Sequence, residues 1–243
     1  MFEAQLHGKL TIDQENLEDI LTSNTFGAFK YVSPKEGLGL FLQKAINPSD
    51  NSSLELPDIA DARYEFWKWL EEKGCNGCEP DVLIELNHED GTKTMVLVEA
   101  KYRSGKSSEA DEGEKCNDQL AREWENLSLL AKRENARPIL IYVTADFALP
   151  IHEIKESQEE LKSKGKEPAN IYWLSWRYIP EVFKDSADIM LQDLVKLFEE
   201  RYGLTFFQKL FIPQKIFINW SFQELRIDWN IFKKQIFEWR FKS

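Results

Sequence analysis

The segment Pro80-Asp81-Val82-Leu83-Ile84 and the later run Val96-Leu97-Val98-Glu99-Ala100-Lys101-Tyr102 constrain this chain more than any other feature. Both runs are short and apolar, the composition of strands buried in a sheet. Between them lies Asn87-His88-Glu89-Asp90-Gly91, and Asp-Gly between such runs signals a hairpin. A hairpin brings Asp81, at the opening of the first strand, close to Glu99, near the end of the second. Successive strand side chains point to opposite faces, so Glu99 and Lys101 share one face and Ala100 takes the other. Two carboxylates and an ammonium then meet at one edge of a sheet. Carboxylates at close range raise one another's pKa. A hard divalent ion such as Mg2+ relieves that repulsion, because it prefers carboxylate and carbonyl oxygen.

The rest of the chain alternates helical and strand-like patterns. Ile12, Leu17, Ile20 and Leu21, with Asp13 and Glu15 near the start, predict an amphipathic helix through about Leu21, followed by a turn at Ser23-Asn24. Residues 26–42 are apolar and predict helix in part, and 47–53 form a loop by composition. The aromatic content of 64–70 favours a strand. Residues 74–77 form a turn, 81–86 and 94–102 the two hairpin strands, and 103–116 a polar, acidic loop that moves when substrate binds. A helix follows over 118–133, with Leu120, Trp124, Leu127 and Leu130/Ala131 on one face. Strands at 138–144 and 171–176 flank a charged helix at 151–164, and a further helix begins at Pro180, clearest over 187–202. This order predicts an α/β fold, a three-layer core with a central mixed sheet.

The totals exclude several classes. Across 243 residues no apolar run approaches membrane-spanning length. The opening Met1-Phe2-Glu3-Ala4-Gln5 lacks the basic region and apolar core of a secretory signal, so the expected location is the cytoplasm. Three cysteines do not make a disulfide framework; Cys75 and Cys78 read as reduced thiols in a turn rather than a zinc or redox pair. Gly105-Lys106-Ser107 follows a strand, but the glycine that a phosphate-binding loop needs five positions earlier is Ala100. A net charge of −11 argues against bulk electrostatic binding of nucleic acid, and points to a more basic partner where stable binding is needed.

Asp81 followed by Glu99-Ala100-Lys101 on two adjacent strands, with a helix before and another after, resembles the PD-(D/E)XK nuclease superfamily. The downstream segment Asn117-Asp118-Gln119-Leu120-Ala121-Arg122-Glu123-Trp124 places a glutamine where several branches of that family have one, and Glu18-Asp19 resembles its leading acidic helix, with Glu18 preferred. The resemblance covers residues from about 12 to 176 and implies a restriction-endonuclease-like core. It implies that Asp81 and Glu99, helped by the Ala100 carbonyl and Glu18, hold Mg2+, with Mn2+ as the substitute. Lys101 would position water or stabilise charge on the phosphorus oxygens, and Gln119 would hold the lysine or an acid in place. The implied activity is a metal-dependent DNA endonuclease in restriction or antiviral (anti-phage) defence. An RNA-directed nuclease on the same site, or a non-catalytic interaction subunit retaining the fold, is the alternative.

The composition changes after residue 202, so the chain divides into a nuclease-like domain over 1–202 and an extension over 203–243. The extension is dense in Phe and Trp, and from Lys209 to Lys242 seven Lys/Arg stand against three acids. Phe222, Leu225, Trp229, Phe232 and Ile236 have helical spacing. Such a helix suits packing on the core; basic and aromatic residues together also suit nucleic-acid stacking, or docking of a protein partner or a second copy through 204–243.

Overall fold

The computed structural model describes residues 6–7, 9, 18–102 and 115–206. The hairpin forms as its turn chemistry dictates. Gly91 takes φ +82°, and the Asp90 carboxylate accepts from the Thr92 amide at 2.9 Å, a local bond that closes the turn. The strands it joins are β2 (Val82–His88) and β3 (Lys93–Lys101), paired antiparallel with Val82 opposite Val98. Extending that register by one residue sets Asp81 against Glu99.

Three further strands complete a five-stranded mixed sheet in the order β1-β2-β3-β4-β5. β1 (Ile59–Phe66) is antiparallel to β2, while β4 (Arg137–Thr144) and β5 (Ile171–Ser175) run parallel to β3. The alternation of side chains builds two cores, one on each face. Val96, Val98 and Ala100 join one with Ile139, Ile141 and Val143; Met95 and Leu97 join the other with Leu140 and Tyr142. The first face is covered by helices α1 (Glu18–Phe29) and α2 (Leu38–Leu42) and, later in the chain, by α5 (Tyr178–Phe183), α6 (Ile189–Lys196) and a π-helical turn, Leu197–Tyr202. The second is covered by α3 (Gln119–Arg133) and α4 (Ile151–Ser163).

The centre of the first core is aromatic. Trp176 is fully buried, stacks on Phe41 at 6.3 Å and meets Phe26 edge-on at 6.0 Å. Its indole N–H donates to the Lys101 carbonyl at 3.3 Å, which ties this core to the end of β3. In the second core, α3 starts where Asp118 caps it, accepting from the Ala121 amide at 3.1 Å. Lys132 and Arg133 in its last turn suit the negative end of the helix dipole.

Three expectations need correction. The turn expected at Ser23-Asn24 is helix: α1 runs through to Phe29, because Phe26 and Phe29 seat in the aromatic core and the Thr25 hydroxyl donates to the Leu21 carbonyl at 2.9 Å. The strand expected over 64–70 starts earlier, at Ile59, and stops at Phe66, where Trp67 turns the chain at φ +48°. The single helix expected over 187–202 is α6 followed by the π-turn, which Gly203 ends at φ +62°. The expected helical residues 12–17, loop residues 103–114 and extension residues 207–243 lie outside the described residues. Among the described residues no helix is long and apolar enough to cross a membrane.

Trp176→Ala should destabilise the protein by about 3–5 kcal/mol, the cost of emptying a buried aromatic site. Urea denaturation measures it, and a loss under about 1 kcal/mol would show that the aromatic cluster does not anchor this face.

Candidate active site

The carboxyl-terminal ends of β1 and β3 and the start of β2 lie at one end of the sheet, and there the charged residues converge. Asp81 leads into β2, and its Oδ2 accepts from the Ala100 amide at 2.8 Å. Glu99 and Lys101 leave β3 on the α3 side, and the Lys101 ammonium lies 2.6 Å from Glu99 Oε1. Gln119, the first residue of α3, donates its amide to the same oxygen at 2.5 Å. Glu18, the first residue of α1, reaches in from the other layer. Its Oε1 is 3.3 Å from the Lys101 ammonium, and its Oε2 accepts from the Tyr102 amide at 2.7 Å. Asp81, Glu99, Lys101, Gln119 and Glu18 thus form one connected cluster. Ala100 enters it through its N–H.

A sixth member was not singled out from the sequence. Glu123 lies one turn along α3 from Gln119, so both project from the same side of the helix. It is 1% exposed, hydrogen-bonds Glu99, and has one oxygen, Oε2, with no hydrogen-bond partner. The available signal was spacing: Glu123 precedes Trp124 on a stripe that also carries Leu120 and Leu127, so an acid there is buried rather than solvated. In Ala121-Arg122-Glu123-Trp124-Glu125 it looks like one of several surface charges.

The electrostatics follow from crowding four carboxylates around one ammonium. Burial, then the charge of Glu99, pushes Asp81 up from 3.8 to about 8, against the opposing pull of the Ala100 N–H. Burial also raises Glu99; the Lys101 charge and hydrogen bond oppose that and do not overcome it. Burial and then Glu99 push Glu123 well above its ordinary value, and the two side chains share a hydrogen bond. Burial alone would lower Lys101, but Glu99, Glu18 and Asp81 outweigh it and keep the ammonium charged.

No protein-family model, curated protein or solved structure matches the chain. The donors of the site are all oxygen, which suits a hard divalent cation, and the buried, unpartnered Oε2 of Glu123 is a donor with free lone pairs beside Glu99. As the side chains stand, no group of three His, Cys, Asp or Glu among the described residues closes around one point as a metal site. The Lys101 ammonium takes the place of positive charge between Glu99 and Glu18. The chemistry of the donor set therefore fits a divalent cation, and Asp81, Glu99, Glu18 and Glu123 are the residues that could hold it.

Cys75, Cys78 and Cys116 are free and buried. Burial raises all three thiols, Cys78 and Cys116 to about 12, so they remain protonated at neutral pH. Gly105-Lys106-Ser107 lies outside the described residues.

These shifts fix a sign. Asp81 binds its proton more tightly in the folded protein, at about 8, than at its ordinary value of 3.8. Its contribution to stability is therefore full below about pH 4 and is lost as pH rises through about 8. The unfolding temperature of metal-free protein should fall across that window, and Asp81→Asn should make the fall shallower. An Asp81→Asn profile parallel to that of the wild type would remove Asp81 as its source.

Proposed function

We propose that this chain is a metal-dependent nuclease of the PD-(D/E)XK type, with a restriction-endonuclease-like core, that hydrolyses phosphodiester bonds in DNA. One observation carries the reading. Asp81, Glu99 and Lys101, far apart from most of their partners in sequence, meet at one sheet end with Glu18 and Gln119 bonded to them. A solvated surface pair would not bury Asp81 and Glu99 and hydrogen-bond both of them.

A bound divalent cation supplies Lewis acidity toward a phosphoryl oxygen and a lowered pKa for water at the site. The protein residues supply the rest. Asp81 and Glu99 are the anionic donors; the Ala100 N–H orients the first, and Gln119 and Glu123 orient the second. Glu18 is aimed by the Tyr102 amide. Lys101, held between Glu99 and Glu18 at the end of β3, would be the group placed to face negative charge developing on phosphorus oxygens. The Trp176 N–H on the Lys101 carbonyl steadies the strand end that carries it.

The role in restriction or anti-phage defence rests on the family resemblance. Dependence on a more basic partner, docked through residues 204–243, rests on the net charge of −11 and the basic, aromatic composition of that segment.

Purified protein should nick or linearise supercoiled plasmid with Mg2+ or Mn2+ and not with EDTA. Lys101→Ala and Asp81→Ala should each lose at least about a hundredfold in rate while keeping the circular-dichroism spectrum of the wild type. Full metal-dependent cleavage by either variant would sink the assignment, and cleavage of RNA alone would move the substrate. Glu123→Ala should weaken Mn2+ binding by about 10–100-fold, as loss of a residue supporting a metal ligand does, while Glu123→Gln, which keeps a donor toward Glu99, loses less. Titration followed by electron paramagnetic resonance reads this directly, and equal affinities in all three proteins would place Glu123 outside the site.

A further inference from the structure

The connection between β1 and β2 carries two exposed tryptophans beside the acids, and this is unusual within the molecule. The other described tryptophans, Trp124, Trp173 and Trp176, are buried, whereas Trp67 is 39% exposed and Trp69 60% exposed. Both are held in place. Trp67 has the left-handed φ of +48°, which a bulky residue seldom adopts without a compensating contact. Its amide donates to the Asp81 carbonyl at 3.1 Å, so its backbone touches that of a proposed metal ligand. The Trp69 ring lies on Gly77 so closely that a Cβ there would sit 2.2 Å from Cζ2, and its N–H donates to Glu71 at 3.3 Å. Paired main-chain bonds between Leu70 and Cys78, both 2.8 Å, close the segment beneath the ring. Asn76 then fastens it to the start of α3, donating to Asn117 Oδ1 at 2.7 Å, two residues before Gln119.

We propose that Trp67 and Trp69 form a stacking platform for unpaired bases of the strand that is cut, so that the substrate is single-stranded or locally opened nucleic acid. This rests on the nuclease reading and narrows its substrate. The Trp67 amide bond to the Asp81 carbonyl puts this connection at the sheet end that holds the acids, within reach of a strand whose phosphate is bound there. A protein partner seated there would cover the same edge. Charge in this segment is mixed and makes no phosphate-binding patch: Glu71, Glu72 and Glu79 stand with Lys73, Lys115 is bound to the Cys75 carbonyl at 3.1 Å, and Lys68 is engaged by Glu65 at 2.8 Å. Contact with a π-face needs no positive charge and tolerates any base. In a duplex those faces are covered by neighbouring bases, so only an unpaired strand offers them.

The test is binding by the wild-type full chain in EDTA, read by fluorescence anisotropy. Three labelled probes of equal length are compared: oligothymidylate, its duplex with oligoadenylate, and an abasic oligomer of the same charge. Oligothymidylate should bind at least about fivefold tighter than the abasic probe and tighter than the duplex, and Trp67→Ala and Trp69→Ala should each cost about fivefold or more. Phenylalanine at both positions should retain most of the affinity. Equal binding of the thymidylate and abasic probes by wild-type protein, or no binding of the thymidylate probe, overturns the proposal whether or not the alanine variants fold. Plasmid cleavage by the same preparation separates the two readings. Lys101-dependent cleavage without base preference removes the platform alone. Base preference without cleavage keeps the platform and removes the nuclease.

Discussion

The Lys101 ammonium lies 2.6 Å from Glu99 and 3.3 Å from Glu18, and the arrangement of the sheet end follows from it. Removing charges from water is costly, and a buried pair repays that cost only when its remaining hydrogen-bonding capacity is met. Here one cation faces four carboxylates. The shortfall is met by main-chain and amide donors: the Ala100 N–H on Asp81, the Tyr102 N–H on Glu18 and the Gln119 amide on Glu99. The backbone thus supplies part of the positive potential that the side chains lack.

The two cores make this arrangement rigid from both sides. The alternation along β3 commits Ala100 to the aromatic core under α1, and Glu99 and Lys101 to the side covered by α3. The same alternation that builds the layers therefore aims the chemistry. Trp176 belongs to the first core by packing and reaches the end of β3 by its N–H. A loss of packing on that face would be felt at the Lys101 carbonyl, without any contact between the mutated residue and the acids.

Much of this was legible from residue order, because it depends on local rules. Asp90-Gly91 set the hairpin, the hairpin set Asp81 against Glu99, and the period of two put Lys101 beside Glu99. The stripe of Leu120, Trp124 and Leu127 gives the helix that carries Gln119, but Gln119 itself is singled out by the family resemblance and not by periodicity. Glu123 is legible only through its spacing beside that stripe, because its burial depends on what packs around it. β1 begins before its aromatic residues because Ile59-Ala60-Asp61-Ala62-Arg63 is an edge segment, mostly exposed, with little strand character of its own. Its pairing with β2, a tertiary contact, makes it a strand. α1 outlasts its turn signal for the same reason: Ser23-Asn24 has the composition of a turn, but Thr22, Asn24 and Thr25 are buried in the helix.

Glu18 has a thermodynamic consequence. It is the first residue of a helix that packs on one face of the sheet, while Gln119 and Glu123 belong to a helix on the other. A ligand held among these side chains would bridge both layers, so neither could detach without releasing it. Its binding free energy would therefore add to the cooperative unfolding of the whole domain, about 2.7 kcal/mol at a concentration a hundred times Kd. A simple melting curve would then report occupancy of the centre, and the chain would be most resistant to unfolding when loaded for work.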